Sequence, residues 1–148
     1  MGLDSLIAEY PQITIKFAEL PKGLSGLYFD NVIFLNKRLN SIEKHCVLAE
    51  EIGHHETTYG NITDLDEIRS RKLELVARRW GYEKIVPLDK LIECYENEHW
   101  LPDDICFHLD ITPKYLQEAL NYYTQKYGIS KVHKGYRISF DSLNIKKL

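Results

Sequence analysis

Cysteine is scarce in this chain of 148 residues, and its placement excludes more than its number does. Cys46, Cys94 and Cys106 are odd in number and never stand in C-x-x-C spacing, which argues against a disulfide framework and against a cysteine-based zinc site. Charge of one sign is also lacking: a net charge of -3 gives no general affinity for nucleic acid or for an anionic membrane. No stretch approaches the roughly 18 uninterrupted apolar residues of a membrane span, so no membrane partner is expected. The segment Met1 to Pro11 has neither a basic flank nor a long apolar run. It does not read as a secretory signal, and the expected compartment is the cytoplasm. What remains, 44% apolar and 28% charged residues, describes an ordinary globular chain with one core and room for a small appended subdomain.

Periodicity and punctuation divide the chain. Asp4 is placed to cap a short helix through Tyr10, ended by Pro11, and Ile13, Ile15 and Phe17 then alternate as a strand does. Pro21, Gly23 and Gly26 mark a loop. Leu27 to Leu35 reads as a tight hairpin about Asp30-Asn31, two residue types that tolerate positive φ. Ser41 is the expected N-cap of the next helix, with Glu43 at its positive end, and that helix runs to about His55 before Gly60 and Asn61 break the pattern. A second long helix is expected from about Asp66 to Ile85, closed by Pro87, with Leu73, Val76, Ala77 and Trp80 as its core stripe and Glu74 on the border.

The first of these long helices carries the chemistry. Within Cys46-Val-Leu-Ala-Glu-Glu-Ile-Gly-His-His55, the positions Glu50, Glu51, Ile52, Gly53 and His54 fit the metallopeptidase pattern H-E-x-x-H, with glutamate in place of the first histidine. Residues i and i+4 lie one turn apart on one helical face, so Glu50 and His54 can address one ion while Glu51 approaches from the side. Glu74 lies twenty residues beyond His54, enough chain for a loop and a returning helix that carries a third carboxylate back to the motif helix. On its own, E-E-x-x-H arises by chance in about 1–2% of chains of this length, so the five positions need support from their surroundings. Glu50 and Glu51 also suit a solvated helix face, and Glu74 also suits an i,i+4 ion pair with Arg78 worth only a few tenths of a kcal/mol.

The surroundings resemble the ImmA/IrrE family of metallo-endopeptidases. The resemblance rests on Leu48-Ala-Glu-Glu-Ile-Gly-His-His55, on Gly26-Leu-Tyr and Val32-Ile before it, and on Glu74-Leu-Val-Ala-Arg-Arg-Trp-Gly-Tyr-Glu-Lys-Ile-Val-Pro87 after it. It covers roughly residues 23 to 87 well and the tail more loosely. It implies Glu51 as general base, His54 as a metal ligand and Glu74 as the third ligand, with Glu50 standing where the family has histidine. The Glu-Glu-x-Gly-His-His form resembles variants from phages and mobile elements, and the family implies site-specific cleavage of a helix-turn-helix repressor.

One imidazole and two carboxylates can hold zinc with open positions, but they form a harder donor set than two histidines and one glutamate, so manganese is the alternative metal. The added carboxylate donates charge to the ion and makes a water activated there less acidic. In the expected mechanism the metal polarises the scissile carbonyl while Glu51 takes the water's proton and later passes it to the amine. Gly53, mid-helix at a cost of about 1 kcal/mol, signals a close neighbour. His55 faces away from its neighbours' stripe and reads as supporting or solvent-facing rather than as a ligand, and His45 points elsewhere. Cys46 falls on the Glu50 and His54 stripe but suits a small buried apolar role better. Tyr59 fits either an oxyanion contact or loop packing, and Leu27 to Phe29 fits an edge strand that a substrate peptide could extend.

In the tail, Leu88 to Asn97 reads as a helix, Pro102-Asp103-Asp104 opens another, and Thr112-Pro113 caps a helix ending near Gly128. Ile105, Leu109, Ile111, Leu116 and Leu120 have a helix-turn-helix rhythm, followed by a wing-like hairpin from Lys131 to Phe140 about Lys134-Gly135. The would-be recognition helix has only Lys114 and Lys126 as basic residues and no arginine, so a structural or protein-recognition module is expected rather than a DNA reader. The expected architecture is thus α+β: a zincin-like metallopeptidase domain over residues 1-87, with a small antiparallel sheet, and a helical and hairpin subdomain over residues 88-148. The expected function is a zinc-dependent endopeptidase acting on a regulatory protein. The alternative is a degenerate relative that acts as an antirepressor by binding a partner without cutting it.

Overall fold

The computed structural model describes residues 2–57 and 67–148, with side chains from residue 71 in the second stretch. Tyr59, Gly60, Asn61 and Asp66 therefore lie outside the described residues. The chain divides into two compact units, Met1–Gly81 and Tyr82–Leu148.

The first unit opens with α1 (Gly2–Ala8), followed by β1 (Thr14–Ala18), β2 (Gly26–Phe29), β3 (Val32–Asn36), α2 (Ser41–Thr57) and most of α3 (Glu67–Ile85). Asp4, expected as a cap, lies inside the first turn of α1, where its charge still complements the helix dipole. The three strands form one sheet in the order β1-β3-β2. Pairing of β2 with β3 is antiparallel, and the two residues between them, Asp30 and Asn31, take φ of 50° and 62°, the backbone that a tight hairpin matched to strand twist requires. β1 adds to the other side of β3 in parallel register, Ile15 opposite Ile33, so the sheet is mixed rather than wholly antiparallel. β2 is left as an edge strand.

Alternation on β3 decides the core. Ile33 and Leu35 are buried on its inner face, as are Leu48, Ala49 and Ile52 on α2 and Ala77 on α3. Phe17 of β1 is 51% exposed, with Lys44 Nζ of α2 4.9 Å from its ring centre. One expectation for the core fails. Val76 is 45% exposed, and the inward stripe of α3 narrows to Leu73, Ala77 and Trp80, with Trp80 packed edge-on to Tyr10 at 6.3 Å.

The N-cap of α2 is Asn40 rather than Ser41. Asn40 Oδ1 accepts from the Glu43 amide at 2.8 Å, and Glu43 Oε1 accepts from the Asn40 amide at 2.9 Å, a reciprocal capping box that leaves Ser41 as the first helical residue. Asn40→Ala is expected to cost about 1 kcal/mol, read as a lower midpoint in denaturant, whereas Ser41→Ala should stay within about 0.5 kcal/mol.

The second unit contains the end of α3, α4 (Leu88–Glu96), α5 (Pro102–Leu109), α6 (Pro113–Tyr127) and the strands β4 (Ser130–His133), β5 (Tyr136–Ser139) and β6 (Asn144–Lys147). Thr112 caps α6 by accepting from the Tyr115 amide at 3.0 Å, with Pro113 at the first turn. The expected rhythm of Ile105, Leu109, Ile111, Leu116 and Leu120 is buried throughout. Tyr123 is buried too; its hydroxyl donates to the Val86 carbonyl at 2.8 Å and its ring stacks on Phe140. Lys134 and Gly135, with φ of 49° and 83°, close the β4–β5 hairpin, and β6 pairs antiparallel with β5, a third strand that the sequence pattern had not signalled. Both lysines of α6 face carboxylates: Lys114 lies 4.0 Å from Glu118 and Lys126 lies 3.1 Å from Glu83. Among the described residues no helix is long and apolar enough to cross a membrane.

Candidate metal centre

Two faces of α2 do different work. Val47, Glu51 and His55, spaced i, i+4, i+8, face the edge strand β2, while Glu50 and His54 face α3. What lets α3 come close is Gly53. A β-carbon built there would fall within 3.0 Å of Ala77 Cα and still nearer its carbonyl, so only a residue without one allows the two backbones to touch. This contact carries Glu74, one turn before Ala77, up to the motif helix.

Glu50, His54 and Glu74 consequently gather: each offers one ligand atom, and these atoms lie within 4.8 Å of one another. Donors about 2.1 Å from a shared tetrahedral ion stand about 3.4 Å apart, so side-chain rotations that close the widest pair by roughly an ångström bring the set to coordination distance. His54 Nε2 is 3.4 Å from Glu74 Oε2. His55 is not part of the group; its Nδ1 shares a hydrogen bond of 2.7 Å with the Tyr28 hydroxyl, and the rings meet edge to face. Cys46 and His45 are buried outside it.

The electrostatics suit a cation. Burial, then the hydrogen bond with Glu74, pushes the Glu50 carboxyl up to about 8, while that same hydrogen bond holds Glu74 below the usual carboxylate range. Burial, then the charge of Glu74, raises Glu51 to about 7. Burial lowers His54, which favours the neutral imidazole that a metal needs. Glu51 is 8% exposed and lies against Gly26 of β2, where a β-carbon would meet Val47 Cγ1 at 2.6 Å and Glu51 Cγ at 3.1 Å.

The metal-free chain should show the cost of this arrangement. Glu50 and Glu51 have folded-state values of about 8 and about 7 against 4.5 ordinarily, so the folded chain binds more protons than the unfolded one across that window. Stability contributed by these protons is present at low pH and is lost as pH rises through the folded values. In the presence of chelator, the wild type is therefore expected to lose more Tm than Glu50→Gln between about pH 5 and about pH 8, His54 acting in the opposite sense equally in both. An equal slope in the two proteins would contradict the assignment.

Reading the sequence had assigned Arg78 only to Glu74, four residues away. Its Nη2 does lie 3.8 Å from Glu74 Oε1, but its Nε donates to Glu50 Oε1 at 3.0 Å across the helix pair. The Tyr28–His55 pair was also missed, although Gly26 and Tyr28 share a face of β2 and His55 follows Glu51 by one turn. Residues 8–143 match the peptidase M78 family, described as the IrrE N-terminal-like domain. A search of curated proteins finds no match.

Proposed function

Since the chain belongs to the M78 metallopeptidase family of IrrE N-terminal-like domains, we propose that it is a metal-dependent endopeptidase acting on a regulatory protein, with Glu50, His54 and Glu74 as the metal ligands and Glu51 as the general base. The observation that carries this reading is the convergence of one imidazole and two carboxylates from α2 and α3 beside a buried third carboxylate. Zinc is the proposed ion, with manganese as the alternative for this oxygen-rich donor set.

When bound, the metal supplies Lewis acidity to the scissile carbonyl and to the attacking water. The chain does the rest. Glu51, on the helix face between the donor cluster and β2, takes the water's proton at its carboxylate and returns it to the departing amine. Its raised affinity for a proton suits it to both steps near neutral pH. Among the described residues β2 pairs on one side only, with Leu27 and Phe29 exposed, and an extended peptide can add to its outer edge. The proposed substrate is a helix-turn-helix repressor of a prophage or mobile element, as the family resemblance implies, and the proposed compartment is the cytoplasm.

Glu50 itself favours a second reading, in which the chain binds a regulator without cutting it, because a carboxylate paired with Arg78 occupies the first ligand position. Sequencing of new protein N-termini in cells expressing the wild type or Glu51→Gln separates the two. One or a few new termini that depend on Glu51 are expected; equal sets of termini, together with partner binding that survives Glu51→Gln, would favour the binding reading.

A further inference from the structure

Arg78 answers a charge problem created by Glu50. A site of two histidines and one glutamate carries one formal negative charge; Glu50, neutral His54 and Glu74 carry two. The guanidinium of Arg78 brings the total back to one, and it does so at the residue that departs from the pattern. Its Nε donates to Glu50 Oε1 at 3.0 Å, from α3 across to α2. On the opposite side, Arg78 Nη2 lies 3.8 Å from Glu74 Oε1 while Glu74 Oε2 faces His54 at 3.4 Å, so each carboxylate turns one oxygen to the guanidinium.

We propose that Arg78 is a positioning residue for the metal centre: it fixes and neutralises Glu50 so that carboxylate and guanidinium together serve the ion as a neutral imidazole would. This inference rests on the reading of Glu50, His54 and Glu74 as ligands. The Arg78 side chain is 51% exposed, and an ion pair that open contributes little to folding, so stability alone does not account for its reach from α3 to α2. Arginine suits the task because it stays charged at all relevant pH and holds a carboxylate oxygen in a fixed direction. Partners that orient a ligating group typically change metal affinity by about 10–100-fold when removed.

The test is zinc affinity of the full chain, measured by competition with a chromophoric chelator, in a cycle of Arg78→Met and Glu50→His. Arg78→Met is expected to weaken zinc binding by about tenfold in the wild-type background, because the loss of a fixed Glu50 outweighs the Coulombic gain from removing a neighbouring cation. In the Glu50→His background the same change should cost clearly less, because only the 3.8 Å contact of Arg78 with Glu74 remains to be lost. Arg78→Gln serves where the methionine variant fails to fold. Unchanged or tighter zinc binding in Arg78→Met would make Arg78 a competitor of the ion and overturn the proposal, as would an equal loss in both backgrounds. A wild-type chain that binds no zinc overturns the ligand reading and this inference together. Zinc binding with the expected coupling but without peptide cleavage leaves the inference standing and removes only the hydrolytic role.

Discussion

Glu51→Gln should retain the metal and the fold yet lower cleavage by about 10²–10⁴-fold, the range over which a positioned general base contributes. The substitution keeps shape and volume, so the packing of residue 51 against Gly26 is preserved. It removes only the capacity to accept a proton. Glu51 is separate from the clustered donor atoms of Glu50, His54 and Glu74, which is why metal content is expected to survive. A glutamine is also less costly to bury than a carboxylate whose proton affinity is already raised by burial, so the variant should be at least as stable as the parent near neutral pH. The expected signature is a large loss in rate with metal near one equivalent and Tm unchanged or higher. A parallel loss of metal would instead mean that Glu51 is a ligand.

Gly53→Ala should damage both stability and the metal centre, against the direction that helix propensity alone predicts. In an open helix the change would gain about 1 kcal/mol. Here the added methyl meets the Ala77 backbone, with the carbonyl carbon at 2.9 Å and Cα at 3.0 Å, and a main chain cannot rotate aside as a side chain can. Relief requires α2 and α3 to part, at a net cost of about 1–3 kcal/mol. The same movement draws Glu74 from Glu50 and His54, which flank Gly53, so zinc affinity should fall by at least about tenfold. Chemical denaturation and chelator competition on one preparation check both effects. Retained affinity with lowered stability would show that the ligand cluster does not depend on this helix contact.

Much of this was legible in the sequence because it is local. The Asp30-Asn31 and Lys134-Gly135 turns, the Thr112-Pro113 start of α6 and the i,i+4 placement of Glu50 and His54 depend on residues near one another in the chain. Gly53 announced a close neighbour through its propensity cost, although nothing in the spacing named Ala77. What escaped reading is non-local or competitive. Arg78 had two carboxylates within reach, and sequence distance favoured Glu74 over Glu50. Asn40 and Ser41 are both good caps, and the reciprocal bond with Glu43 selects the residue three positions before it. The parallel addition of β1 to β3 and the pairing of β6 are matters of topology that alternation along one strand does not encode.

Elemental mass spectrometry of untagged protein purified without added metal, beside Glu50→Ala, His54→Ala and Glu74→Ala, tests the central claim most directly. The account predicts near one equivalent of metal in the wild type and background levels in the His54 and Glu74 variants, with the Glu50 variant also depleted. A wild-type chain that holds no metal even after zinc or manganese is offered would contradict it.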